Sequence, residues 1–423
     1  MTIAPAPTNP LDLIPGNAAI GQSGGPTAVI NQSLVGVVEG LRAFGNAGRG
    51  GPITKVLGMR HGVSGLTKGD FHDLTETPQD FLDRLACSPS AGLGSTRDKP
   101  DAAYCERILE ACKQHNIRYY FYVGGNDSSD TCRIVNELST QSGYDLRCFH
   151  VPKTVDNDLM ENDHTPGFAS AARFVATACM ADFLDNISLP GIKINVVMGR
   201  HAGFLAASSA LARRSDRDVS TDGPQLIYLP EVPFDLERFA QDVAKLYESK
   251  GRAHIAVSEG ISDKDGTPIG AKLIEAAQTD DHGNVQLSGS GALGDALSTH
   301  LKKALTPAGG KPPRVRADTF GYVQRCWPDA SPIDQREARG AGHFAAALAC
   351  SGHADGSVAI RRDSTPGPLE RYEAGFKRVE LSDVAAKTKH MPAEFIDGHN
   401  NVSKAFLDYA RPLVGELPRF ERL

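Results

Sequence analysis

The run PKTVDNDL, residues 152–159, sets a lysine, a threonine and two carboxylates side by side: Lys153, Thr154, Asp156 and Asp158. Moving a phosphoryl group needs a base for the attacking hydroxyl, and cations or donors around the group in flight. One loop could supply both. A solvated acidic turn accounts for Asn157 and Asp158. It does not account for Lys153 and Thr154 directly after an apolar run.

Three further stretches invite the same chemistry. In SGGP, 23–26, the glycines leave backbone N–H groups bare for a phosphate, although a tight strand-to-helix turn looks the same. The stretch matches neither G-x-x-x-x-G-K-[ST] nor G-x-G-x-x-G. In GGNDSS, 124–129, Asn126 and Asp127 are oxygen groups suited to Mg²⁺-bound phosphates; the plainer reading is a turn capped by Ser128 or Ser129. Arg200 in MGRHAG, and Arg316, Tyr322 and Arg325 leading through GYVQR, each read singly as surface residues. Together at strand ends they suit a sugar phosphate, which arginine grips with paired hydrogen bonds. The 13 histidines and 8 cysteines show no zinc spacing.

What must position these residues is a series of strands. Short β-favouring runs at Ala18–Gly21, Lys55–Met59, Tyr119–Val123, Arg147–Val151, Ile192–Met198, Leu226–Leu229, Ile255–Val257 and Arg316–Val323 alternate with helical patterns. Helices are expected at Ala28–Phe44, Asp130–Leu138, Ala169–Leu184, Ala202–Arg213, Leu236–Ser249 and Gln335–Cys350. Such an order implies an α/β fold with largely parallel sheets covered by helices. Ligands then gather beyond the carboxyl ends of the strands, where every motif above falls. Gly/Pro-rich joints at 45–52 and 306–313 read as loops, the second as a crossing between domains.

A chain of 423 residues exceeds one ordinary core, so two domains are expected. Its net charge of −6 argues against dedicated nucleic-acid or anionic-membrane binding. Scattered cysteines without C-x-x-C, no secretory pattern at the N-terminus and no apolar run of spanning length lead to a cytoplasmic expectation.

The ordered set GGPTAVIN, GLGSTR, GGNDS, PKTVDND, MGR, VSEG and GYVQR, from Gly21 to about Gly340, resembles the phosphofructokinase family, and more closely its pyrophosphate-dependent branch. The resemblance implies two interleaved Rossmann-like domains with the active site in the cleft between them. Residues 1–166 with about 324–385 would form the donor-phosphate domain, and about 167–323 with 386–423 the sugar-phosphate domain. It also implies Mg²⁺-dependent, reversible transfer from pyrophosphate to the 1-hydroxyl of fructose 6-phosphate by a homodimer or homotetramer.

By the same resemblance, Gly24 and Arg97 meet the donor phosphates with Asn126 and Lys153, and Asn126 and Asp127 attend the metal. Asp156 is the base, with Thr154, Val155 and Asp158 beside it. Met198, Gly199, Arg200 and Glu259 line the sugar site. Tyr322 and Arg325 hold the 6-phosphate, and Arg316 reaches it from a neighbouring subunit. ATP-using members look like GGDGS where this chain has GGNDS, and have glycine in place of Lys153. A carboxylate at Asp127 would repel an α-phosphate by ~1 kcal/mol in water and ~4 at intermediate dielectric. Lys153 would neutralise pyrophosphate.

The chain departs from the family pattern at Asn126, where an aspartate is usual, at Tyr322, and at Gly191, for which Lys193 is the nearest stand-in for an intersubunit arginine. The alternatives are an ATP-dependent phosphofructokinase, a preference for sedoheptulose 7-phosphate, and a non-catalytic sugar-phosphate-binding subunit. Retention of Lys153, Asp156 and Arg200 argues against the last.

Overall fold

The strands are β1 (Gly16–Gln22), β2 (Ile53–Met59), β3 (Phe71–Asp73), β4 (Ile117–Gly124), β5 (Arg147–Pro152), β6 (Ile192–Val197), β7 (Leu226–Tyr228), β8 (Ala253–Ser258), β9 (Val315–Thr319), β10 (Asp355–Arg362) and β11 (Ala374–Val379). The structure is a computed structural model that describes residues 11–214, 216, 221–273, 291–363 and 372–421. The chain divides into two compact units, Met1–Ser170 with Arg325–Lys389, and Ala171–Gln324 with His390–Leu423. The glycine-rich stretch 306–313 lies inside the second unit and is not a crossing.

The first unit is built on a seven-stranded sheet of order β11-β10-β5-β4-β1-β2-β3. Its interior is parallel, and β3 and β11 close the two edges antiparallel. Four consecutive aromatics of β4 are buried because the sheet is covered on both faces. Tyr119 and Phe121 pack with residues of helices Ile30–Phe44 and Pro332–Cys350, and Tyr120 and Tyr122 with residues of Ala102–Gln114 and Asn126–Gln141. Burying Phe121 contributes about 1.5–3 kcal/mol by taking its ring out of water. Strand ends are level: Gln22 lies beside Val123, and Gly124 beside Pro152. SGGP, GGND and PKTVDND therefore leave the sheet as neighbours.

The second unit carries a four-stranded parallel sheet of order β7-β8-β6-β9. Val197 pairs with Ser258 and Val196 with Thr319, so MGR, SEG and GYVQ also emerge together.

Three element expectations are corrected. The Arg316–Val323 run is strand only to Thr319, then a 3₁₀ turn over Gly321–Arg325. Gly321 turns left-handed (φ 53°), and the Gln324 amide donates back to its carbonyl (2.8 Å). The Ala202–Arg213 helix is an α-helix Phe204–Ser208 tightening to 3₁₀ at Ser209–Ala212, where the hydroxyls of Ser208 and Ser209 bond back to the preceding turn. The helix expected from Asp130 begins at Asn126, so Asn126 and Asp127 form its first turn.

Candidate active site

Neither Ser128 nor Ser129 caps the Asn126–Gln141 helix. Gly125 precedes it without a side-chain cap, the Ser128 hydroxyl pairs with that of Ser23, and the Ser129 hydroxyl donates to Asn126 O (2.8 Å). The bare N–H groups of this helix start remain open to an anion.

The glycine loop is shaped around cations. Gly24 has φ 72°, and a Cβ there would lie 3.2 Å from Lys153 Nζ. A Cβ on Gly25 would come within 2.7 Å of Arg325 Cζ. Lys153 is 3% exposed, and its ammonium donates to Gly25 O at 2.9 Å. Burial, reinforced by Arg325, pulls its pKa down to about 8, against the upward pull of Asp156 and Asp158. GLGSTR is clipped alongside: Gly24 N donates to Thr96 O (2.8 Å) and the Ser95 hydroxyl to Gly24 O (2.6 Å), leaving Arg97 exposed one residue on.

The acidic loop is held as firmly. Thr154 N donates to Pro166 O (3.1 Å), Thr165 donates to Thr154 O (2.8 Å), and Asp156 N donates to Thr154 Oγ1 (3.1 Å). Val155 is buried. Asn126 Nδ2 donates to Asp158 Oδ2 at 3.1 Å, tying GGND to TVDND, and Asn126 Oδ1 is buried without a partner. Burial, then the Asp156 carboxylate, push the Asp158 carboxyl up to about 7. Asp127 faces elsewhere, with its Oδ1 3.1 Å from Lys99 Nζ on the exposed side. Among the described residues no three His, Cys, Asp or Glu side chains cluster as a metal cage.

In the second unit Met198 is buried and its N–H donates to Gln324 Oε1 (3.3 Å), joining MGR to GYVQ. The Ser258 hydroxyl donates to Gly199 O (2.6 Å), and Glu259 N to Val197 O (2.8 Å), joining MGR to VSEG. Glu259 is 4% exposed, Arg200 is partly buried, Tyr322 is 46% exposed, and Arg316 is exposed on edge strand β9.

Against this geometry, a family model described as phosphofructokinase matches residues 17–349. The chain belongs to the phosphofructokinase family. A relative from Rhodospirillum rubrum named pyrophosphate–fructose 6-phosphate 1-phosphotransferase is 50% identical over 403 residues, covering 95% of this chain and 94% of that protein. A relative of the same name from Halomonas elongata is 36% identical over 419 residues, covering 96% and 94%. The crystal structure of a pyrophosphate-dependent phosphofructokinase from Marinobacter aquaeolei has a TM-score of 0.80 at 32% identity, covering 96% of this chain and 94% of that one.

Within this family frame, one sequence expectation changes, and Arg325 gains neighbours the sequence did not show. Lys193 is no free stand-in for an intersubunit arginine, because its ammonium is held by Asp182, by Asp318 (3.2 Å) and by Asp185 (3.4 Å). Arg325, expected with Tyr322 on the sugar 6-phosphate, lies against Gly25 and raises the charge density around Lys153. Sequence reasoning also missed Lys99, although it stands two residues after Arg97.

It missed two buried histidines below the loops as well. His150 Nε2 is 2.9 Å from Gly124 O and Nδ1 2.8 Å from the Ser357 hydroxyl, and burial pushes it down to about 4. His164 lies 2.8 Å from Asp163 and 2.5 Å from Glu337. Burial opposes its charge, but Glu337 and then Asp163 outweigh burial and raise it to about 9. The His164 contribution is therefore full below about 6.5 and is lost as pH rises through about 9. His150 acts oppositely, its contribution being lost as pH falls from about 6.5 towards 4. Urea unfolding of His164→Gln beside wild type should show a deficit on the order of 3 kcal/mol at pH 6 that shrinks steadily by pH 9.5. A deficit independent of pH would contradict the ion-pair account.

Proposed function

We propose that the protein transfers a phosphoryl group reversibly from pyrophosphate to the 1-hydroxyl of fructose 6-phosphate. The observation that carries this reading is a buried ammonium, Lys153, seated beneath the Gly24–Gly25 loop and three residues before Asp156. Gly24, Lys153, Arg97 and the bare N-terminus at Gly125–Asn126 bind pyrophosphate. Asp156 takes the proton of the sugar 1-hydroxyl. Met198, Gly199, Arg200 and Glu259 receive the sugar, with Thr154, Val155 and Asp158 beside the base. Tyr322 and Arg325 hold the 6-phosphate, and Arg316, exposed on an edge strand, serves a neighbouring subunit in a homodimer or homotetramer.

Magnesium fits the residues present. The unpartnered Asn126 Oδ1 and the Asp158 carboxylate bonded to the same amide offer two oxygen ligands. Mg²⁺ is commonly held by one or two protein oxygens, with substrate phosphates and waters completing the shell. Asp127, engaged by Lys99, is the weaker candidate ligand. When bound, the ion supplies charge neutralisation on the transferring phosphate.

Pyrophosphate is favoured over ATP by Lys153, by Asp127 in the first turn of the Asn126–Gln141 helix, and by the relatives' names. Lys99 partly neutralises Asp127, which weakens its repulsion of a nucleotide α-phosphate. Kinetics of wild type and Asp127→Gly with each donor, at saturating fructose 6-phosphate and Mg²⁺, test the reading. Wild type should use pyrophosphate and leave ATP nearly untouched, and Asp127→Gly should gain slow ATP turnover. A wild type preferring ATP would overturn the donor assignment. Sedoheptulose 7-phosphate offered in parallel tests the acceptor.

A further inference from the structure

Between the two aspartates of the base loop stands Asn157, fully buried and left-handed (φ 60°). Asparagine adopts that conformation more readily than other non-glycine residues, and its surroundings decide whether it is held there. The surroundings here come from a distant segment. Lys389 N donates to Asp158 O at 2.7 Å. The Lys389 ammonium donates to Asn157 Oδ1 (3.3 Å), Asn162 O (2.9 Å) and Asp163 O (2.9 Å). An ammonium has three N–H groups, and each has an oxygen acceptor here.

We propose that Lys389 is a positioning residue for the base loop. It fixes Asn157 in its left-handed state and so sets the directions of Asp156 and Asp158. It touches no substrate in this role and acts through the loop. The proposal rests on the reading of Asp156 as the base. Lys389 stands beyond the 17–349 stretch matched by the family model, and no motif in the sequence marks it. Replacing the ammonium by a methyl thioether would strip the carbonyls of Asn162 and Asp163 of a donor and release Asn157. The aspartates would then sample several directions, and near-attack geometry is sensitive to shifts of about 1 Å.

The test compares wild type, Lys389→Met and Lys389→Arg in pyrophosphate-dependent turnover and in amide hydrogen exchange. Lys389→Met should lower kcat roughly tenfold with both KM values within about twofold. Lys389→Arg should recover most of that loss. Exchange at residues 154–163 should rise about tenfold in Lys389→Met while β4 keeps its protection. Unchanged exchange, or unchanged kcat, would overturn the proposal. If Lys389→Met fails to fold, Lys389→Gln is read in the same way. Asp156→Asn separates the two claims: full turnover there would sink the base assignment, while the exchange result still decides whether Lys389 holds the loop.

Discussion

Asp156→Asn should lose ~10²–10⁴-fold in turnover, the range in which a positioned general base acts. The amide keeps the size and a hydrogen-bonding oxygen but cannot accept the proton of the sugar hydroxyl. KM for fructose 6-phosphate should barely move, because the sugar grip is assigned to Arg200, Arg316 and Arg325. The loop itself should survive, since its bonds run through Thr154, Thr165 and the Asp156 N–H rather than the carboxylate. Steady-state kinetics with saturating pyrophosphate measure this. Turnover within threefold of wild type would remove Asp156 from the mechanism.

Lys153→Met should lower pyrophosphate turnover by ~10²–10³-fold, the usual scale for losing a pre-set electrostatic group aimed at developing charge. Burial of Lys153 would make such a contact strong, because little water would compete with a phosphate for the ammonium. The same burial, helped by Arg325, gives it a pKa of about 8. As pH rises through that value the free enzyme loses the cation, so kcat/KM for pyrophosphate should fall above about 8. Lys153→Arg, whose guanidinium stays charged, should push that limb to higher pH even if its absolute rate is lower. A Lys153→Met enzyme of near-normal rate would contradict the role, as would an unmoved limb in Lys153→Arg.

The alternation of short apolar runs and helical patterns was legible because parallel strands buried on both faces leave continuous runs such as FYV and IAV. Their carboxyl ends collected the motifs, and the level register in each sheet turns that collection into neighbouring loops. The 3₁₀ turn at Gly321–Arg325 was not legible, since its apolar YV pair mimics a strand and only the Gln324 bonds reveal the turn. Arg325 carries no sequence sign that its guanidinium packs on Gly25, a contact made across 300 positions of chain. Lys99 was within reach, two residues from Arg97. Lys389, His150 and His164 were not, because a lone buried polar residue looks like any other until its partners are folded around it.

The central claim is that pyrophosphate is the donor and the sugar 1-hydroxyl the acceptor. Phosphorus-31 NMR of one sample holding the protein, Mg²⁺, fructose 6-phosphate and pyrophosphate reads both ends of that transfer. The pyrophosphate signal should give way to equal amounts of inorganic phosphate and a new phosphomonoester on C1 of the sugar, and ATP in its place should leave the sugar unchanged. An intact pyrophosphate signal, with the same sugar phosphorylated promptly from ATP, would contradict the account.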